Sequence, residues 1–85
     1  MKVTFRTSFD KDAKRIKDKT VRQAIGKAIL NVEAASRLAD IKGLKKMTGF
    51  KNSYRIRVGS YRIGVEITDG VADFVRVLPR DSIYD

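Results

Sequence analysis

The 85-residue chain contains no cysteine and no histidine. Without cysteine there is no disulfide and no thiolate metal site. The lack of disulfides fits a reducing compartment, and a cytoplasmic location is expected. Without histidine the chain lacks the usual general base near neutral pH and the commonest metal ligand. No apolar run approaches the length of a membrane span, and the N-terminus lacks the apolar core of a signal peptide, so no membrane partner is expected. Repeats, low-complexity stretches and flexible linkers are also missing. With 42% hydrophobic residues, the chain has enough for one modest core, and 1–85 is expected to form a single domain.

Acidic residues are missing from one part of the chain. The formal net charge is +9, and residues 41–65 hold seven basic side chains (Lys42, Lys45, Lys46, Lys51, Arg55, Arg57, Arg62) with no acid. The other sixty residues carry 12 basic and 10 acidic groups, which is close to balance. A charge serving only solubility would be spread out. A focused basic patch points to a polyanionic partner, nucleic acid or an acidic protein segment.

Inside that stretch, Tyr54 to Val58 and Tyr61 to Ile67 alternate apolar and polar residues around Gly59-Ser60. The pattern predicts two half-buried strands joined by a tight hairpin, with glycine at the positive φ of a type II′ turn. In that register Val58 opposes Tyr61, Arg57 opposes Arg62, Ile56 opposes Ile63 and Arg55 opposes Gly64. Tyr54, Ile56, Val58, Tyr61, Ile63, Val65 and Ile67 then face the core, while Arg55, Arg57 and Arg62 share the other face. Like charges directly opposite one another repel, an arrangement that makes sense if an anion sits between them. Gly64 leaves bare backbone where a ligand can come close. The face is read as a phosphate site, which Lys45, Lys46 and Lys51 extend.

In the rest of the chain, Met1 to Phe5 predicts a short strand. Ser8 is expected to cap a short first helix through Phe9, Ala13 and Ile16. Thr20 and Gln23 suggest a capping box for a second helix from about Val21 to Ser36. Gly26 within it suggests close packing against the first helix. Residues 37–51 read as a loop with one or two helical turns, tucked under the sheet by Leu38, Ile41, Leu44 and Met47. Asp69-Gly70 marks a type I′ turn into a third meander strand, Val71 to Leu78, which Pro79 ends. A strict register there puts Arg76 on the core side, an awkward result that a bulge would correct. The expected fold is α+β in the order β-α-α-β-β-β, a helical hairpin packed on one face of a mostly antiparallel four-stranded sheet.

The element order, the Tyr-Arg-Ile-Arg-Val-Gly-Ser-Tyr-Arg-Ile hairpin and the Arg-Val-Leu-Pro-Arg-Asp-Ser-Ile-Tyr ending together resemble the RelE/ParE superfamily of toxins from type II toxin–antitoxin modules. The resemblance spans essentially the whole chain. It implies one of two activities, or an inactive homologue that keeps only antitoxin binding. RelE-like members are metal-free, cofactor-free nucleases that cut mRNA in the ribosome, using the substrate's own 2′-hydroxyl as nucleophile. ParE-like members poison DNA gyrase instead. Residue by residue, the resemblance makes Arg62 the arginine that grips the scissile phosphate. It puts Arg55 and Arg57 among the substrate-binding cations, and Arg80 and Tyr84 in the catalytic tail. The implied partners are a cognate antitoxin, the ribosome and mRNA. Some members use strand lysines as acid or base, but this chain has arginines there, which do not deprotonate at ordinary pH. The base is then Tyr84, an outside group or water, with Tyr84 as the candidate. Metal-free cutting remains feasible because preorganised guanidinium groups aimed at the developing phosphorane charge supply several kcal/mol, roughly a hundredfold or more in rate. Glu66 is expected to pair with Arg62 or Arg55, and Phe50 to touch the core.

Overall fold

A computed structural model describes residues 1–83 of the chain. The elements are β1 (Lys2–Phe5), α1 (Thr7–Arg15), α2 (Lys19–Ala34), a 3-10 turn (Leu38–Asp40), β2 (Leu44–Lys46), β3 (Ser53–Val58), β4 (Tyr61–Thr68), β5 (Val71–Pro79) and the short α3 (Arg80–Ile83). The sheet has five strands in the order β1-β5-β4-β3-β2, rather than the expected four. The extra strand is β2. Its three residues pair with β3 as Leu44↔Ile56, Lys45↔Arg55 and Lys46↔Tyr54. The spacing of Ile41, Leu44 and Met47 by three suggested helical turns, but a strand this short carries no alternation to read. The helix of this segment is confined to Leu38–Asp40.

The hairpin keeps the predicted register throughout, from Tyr54↔Val65 to Val58↔Tyr61. Gly59 takes φ 58° at its turn, while Asp69 (φ 51°) and Gly70 (φ 77°) both turn left-handed at the next, as types II′ and I′ require. One face of the sheet contributes Ile56, Ile63, Val65, Ala72, Phe74 and Val77 to the core, and the helices cover it with Phe9, Ile25 and Val32. No helix among the described residues is long and apolar enough to cross a membrane.

Helix starts differ from the sequence expectation. Asp18, not Thr20, caps α2, its carboxylate accepting from the Thr20 and Val21 amides. An aspartate two residues earlier outcompetes a threonine because its charge also meets the positive end of the helix. Ser8 does not cap α1 but donates its hydroxyl to the Val75 carbonyl at 2.6 Å. Gly26 is not explained by close packing, since a Cβ there would meet nothing within 4 Å.

The Ser8 departure has its cause at the edge of β5. β1 runs parallel to β5 only from Lys2↔Val71 to Phe5↔Phe74, leaving the second half of β5 without a neighbour on that side. The side chains of α1 continue the ladder. Ser8 serves the Val75 carbonyl, and the buried Asp12 carboxylate accepts from the Val77 amide at 3.1 Å. The anticipated bulge is present. Gly64 pairs with Arg76 and Val65 with Phe74, leaving Val75 as the extra residue. Val77 therefore turns into the core and Arg76 turns out, where its guanidinium meets Asp12 through bonds of 2.7 and 3.1 Å.

Candidate phosphate site on the open sheet face

Residues of alternate position on β3 and β4 share the face opposite α1 and α2, so Arg55, Arg57, Arg62, Gly64 and Glu66 lie together there; α3 packs against β4 and β5, and Gly64 is buried rather than bare. Arg57 and Arg62 are direct cross-strand partners. Arg62 is only 7% exposed. Its Nη1 donates to the carbonyls of Gly59 and Tyr61, each at 2.9 Å, so the hairpin turn fixes the guanidinium. Among the described residues no carboxylate pairs with Arg62 or Arg57. Burial, and then the charges of Arg57, Arg80 and Arg55, push the Arg62 guanidinium down from its ordinary value; it stays protonated at any ordinary pH. This is a buried cation held by neutral carbonyls and surrounded by its own sign of charge.

Arg80 reaches the cluster from the other side. The chain leaves β5 at Pro79, and the Arg80 amide donates to the Ser60 carbonyl at 2.9 Å, tying the start of α3 to the hairpin turn. The Arg80 side chain is largely exposed, with Asp81 at 3.6 Å. Lys45 enters as the cross-strand partner of Arg55.

Three further expected residues are Lys46, Lys51 and Tyr84. Lys46 pairs with Tyr54, on the helix-covered side. Its Nζ donates to the carbonyls of Phe50 (2.8 Å) and Lys51 (2.6 Å) and stands 5.4 Å from the Tyr54 ring centroid. It staples the loop before β3 and lines a small hollow beside Lys45 and Arg55. Lys46→Ala should change affinity for an RNA oligonucleotide less than about twofold, yet hasten amide hydrogen exchange in residues 47–53, because an exposed cation bound to carbonyls contributes little beyond local order. Lys51 is exposed beside that loop. Tyr84 lies outside the described residues.

Other features were not foreseen. Glu66 pairs with Arg6 (2.9 Å) rather than with Arg62 or Arg55, and Arg6 also holds Asp73 at 2.8 Å. Thr4 donates to the same aspartate. These residues converge because β1 joins β5 beside β4, a non-local pairing with no signal in the local sequence. The open face thus has an ion-paired end at β1 and a predominantly basic end at the hairpin turn, where Asp81 beside Arg80 is the acid among the described residues. Phe50 is 58% exposed rather than in the core; the loop stapled by Lys46 holds it outward. Tyr54 and Tyr61 pack against the core as expected. Between the two ends lies a hollow of about 290 Å³ whose lining includes Met47, Ser53, Gly64, Glu66, Arg76 and Leu78.

Comparison with known proteins gives a consistent result. The family described as "ParE toxin of type II toxin-antitoxin system, parDE" matches residues 3–84. A curated protein, Toxin RelE3 of Methanocaldococcus jannaschii, is 44% identical over 86 residues, covering 100% of this chain and 97% of the relative. The toxin in the RelB-RelE antitoxin–toxin complex from Methanococcus jannaschii superimposes with a TM-score of 0.82 at 39% identity, over 96% of this chain and 95% of that one. The intact RelBE complex of E. coli, at 22% identity, shares the fold with a TM-score of 0.72 over 89% of this chain and 92% of its own. The chain belongs to the RelE/ParE family of toxins of type II toxin–antitoxin systems.

Proposed function

We propose that this toxin blocks translation in the cytoplasm by cutting mRNA held in the ribosome, with an antitoxin protein as its neutralising partner. The observation that carries the reading is Arg62, a buried guanidinium with no carboxylate partner among the described residues, set among three further arginines. Such a cluster is at its most favourable with a multiply charged anion bound. In the reaction, the ribose 2′-oxygen attacks the adjacent phosphorus and the bond from phosphorus to the 5′-oxygen breaks. A base takes the 2′-hydroxyl proton and the departing 5′-oxygen gains one. The products are a 2′,3′-cyclic phosphate and a 5′-hydroxyl end. Arg62, held by the turn carbonyls, binds a non-bridging oxygen. Arg55, Arg57 and Arg80 share the charge that grows on the phosphorane, and Lys45 and Lys51 guide the strand. Tyr84 is the group assigned to proton transfer, because arginines cannot accept the proton. The antitoxin supplies acidic or amphipathic surface that neutralises the basic face. The RelB-RelE complexes of the structural relatives support such a partner.

The test is primer-extension mapping of a message in a purified translation system. Discrete cuts bearing 5′-hydroxyl ends, dependent on the presence of ribosomes, are expected. Uncut message with normal protein synthesis would overturn the reading. Because the matching family description is that of ParE, DNA gyrase supercoiling is the assay to run beside it. Inhibition there without cuts would make the toxin a gyrase inhibitor.

A further inference from the structure

The phosphate chemistry leaves Phe50 unused. Its ring is 58% exposed. A lone exposed apolar residue is ordinary on a protein surface, so its setting decides what it means. A built turn carries it. The Phe50 amide donates to the Met47 carbonyl at 3.4 Å, and Gly49, at φ 85°, takes the third position of that turn, as a type II turn requires. The Met47 amide closes the loop on the Ser53 carbonyl at 2.9 Å, and the Ile67 amide ties the Asn52 carbonyl to β4 at 3.0 Å. These backbone bonds, with the Lys46 staple added, fix the main chain at Phe50 and leave the ring outward. Around it the charge is basic. Lys45 and Lys51 are exposed, and a hollow of about 290 Å³ against the turn is lined by Lys45, Lys46, Met47, Thr48 and Arg55. The other exposed large apolar side chains among the described residues are elsewhere: Phe5 on β1, at the opposite border of the sheet from β2, and Leu30 and Leu38 on α2 and the 3-10 turn. Phe50 is therefore not the centre of an apolar patch, as an anchor of a protein interface would be. From Ser53, where the loop ends, to Arg57 the strand runs four residues, roughly 13 Å, so a group lying on Phe50 is not the nucleotide at Arg62.

We infer that Phe50 is a stacking platform for one unpaired base of single-stranded RNA, remote from the phosphate that Arg62 holds, with Lys45 and Lys51 drawing the backbone phosphates beside it. Proteins that bind single strands combine a basic track with aromatic rings on which bases lie, and the contact accepts any base because each has a flat face. A turn fixed through its main chain presents such a ring without having to order it first. The inference rests on the RNA reading proposed above, adds a contact outside the phosphate site and gives Phe50 no part in the chemistry.

The chain has no tryptophan, so Phe50→Trp puts a single fluorophore on the platform. Hexaadenylate should quench it, whereas tripolyphosphate, an anion without bases, should leave it bright. Phe50→Leu keeps the apolar bulk and removes the flat face. Checked for folding by its melting curve, it should bind hexaadenylate about 5-fold or more weakly than the wild type. Cosedimentation with ribosomes separates the sources of the base. A deficit of Phe50→Leu on vacant ribosomes identifies ribosomal RNA, and a deficit only on message-loaded ribosomes identifies the message; either supports the platform. Fluorescence that hexaadenylate does not change, or that tripolyphosphate quenches equally, would overturn it, as would wild-type affinity of Phe50→Leu for both the oligonucleotide and ribosomes. A deficit confined to antitoxin binding would also overturn it and make Phe50 a protein contact. Primer-extension cuts by the wild type alongside unchanged fluorescence would remove the platform alone. Base-dependent quenching without cuts would keep the platform while cleavage falls.

Discussion

Replacing Arg62 with alanine should slow mRNA cleavage by about a hundred- to a thousandfold while leaving the free protein as stable as before, or more so. The two halves of this expectation have one origin. A guanidinium fixed by the Gly59 and Tyr61 carbonyls does not have to reorganise as phosphorane charge builds, and its buried setting strengthens the attraction. Without a bound anion, the same group is desolvated and repelled by Arg57, Arg80 and Arg55. Alanine removes the repulsion and leaves only two carbonyls at a hairpin turn, where water can serve them. Cleavage rates from primer extension and melting temperatures, read on the same preparations, check both halves. A large loss of stability alongside the loss of activity would mean that Arg62 is structural. Retained cleavage would remove it from the phosphate.

The second large effect is on folding. Asp12→Ala should destabilise the domain by roughly 3 kcal/mol, which in a chain of this size lowers the melting temperature by about 15 °C. Asp12 is 4% exposed, receives two bonds from Arg76 and satisfies the Val77 amide. Its loss leaves a cation and an edge amide without their acceptor. The effect depends on pH in a defined direction. Burial alone would push the Asp12 carboxyl up, but the Arg76 hydrogen bond, the Val77 amide and the charges of Arg76 and Arg15 outweigh it. Together they hold the group below its ordinary value of 3.8. A folded-state value below the unfolded one adds stability that is fully present above 3.8 and lost as pH falls through the folded value. Denaturation of wild type and variant should therefore show a constant gap at neutral pH that narrows in acid below that point. A gap independent of pH would mean that packing, not charge, is what Asp12 contributes.

The hairpin was legible in the sequence because alternation and a two-residue glycine turn fix a register locally. That register alone placed Arg57 opposite Arg62 and Arg55 opposite Gly64. Arg76 was legible as a conflict: a charge on the core side of a strict register signalled the bulge that the structure has at Val75. What could not be read was non-local. Nothing near Lys2 to Phe5 indicates that this strand lies against β5, and so neither the Arg6 bridge to Glu66 and Asp73 nor the role of Asp12 was foreseen. Lys46 was legible only in part. It lines a hollow beside Lys45 and Arg55, but its Nζ is engaged by the Phe50 and Lys51 carbonyls, a local contact that strand alternation does not announce.

The way α1 takes over from β1 has a consequence for how these molecules meet one another. An unpaired strand edge is a template for another chain, and proteins that leave one long and flat tend to associate through it. Here the upper half of β5 offers no such template, because Ser8 and Asp12 already occupy its carbonyl and amide. At the opposite border, β2 is three residues long and carries two lysines, too short and too charged to recruit a neighbour. The basic end of the sheet face can therefore stay available to a ligand without inviting a second sheet to the borders.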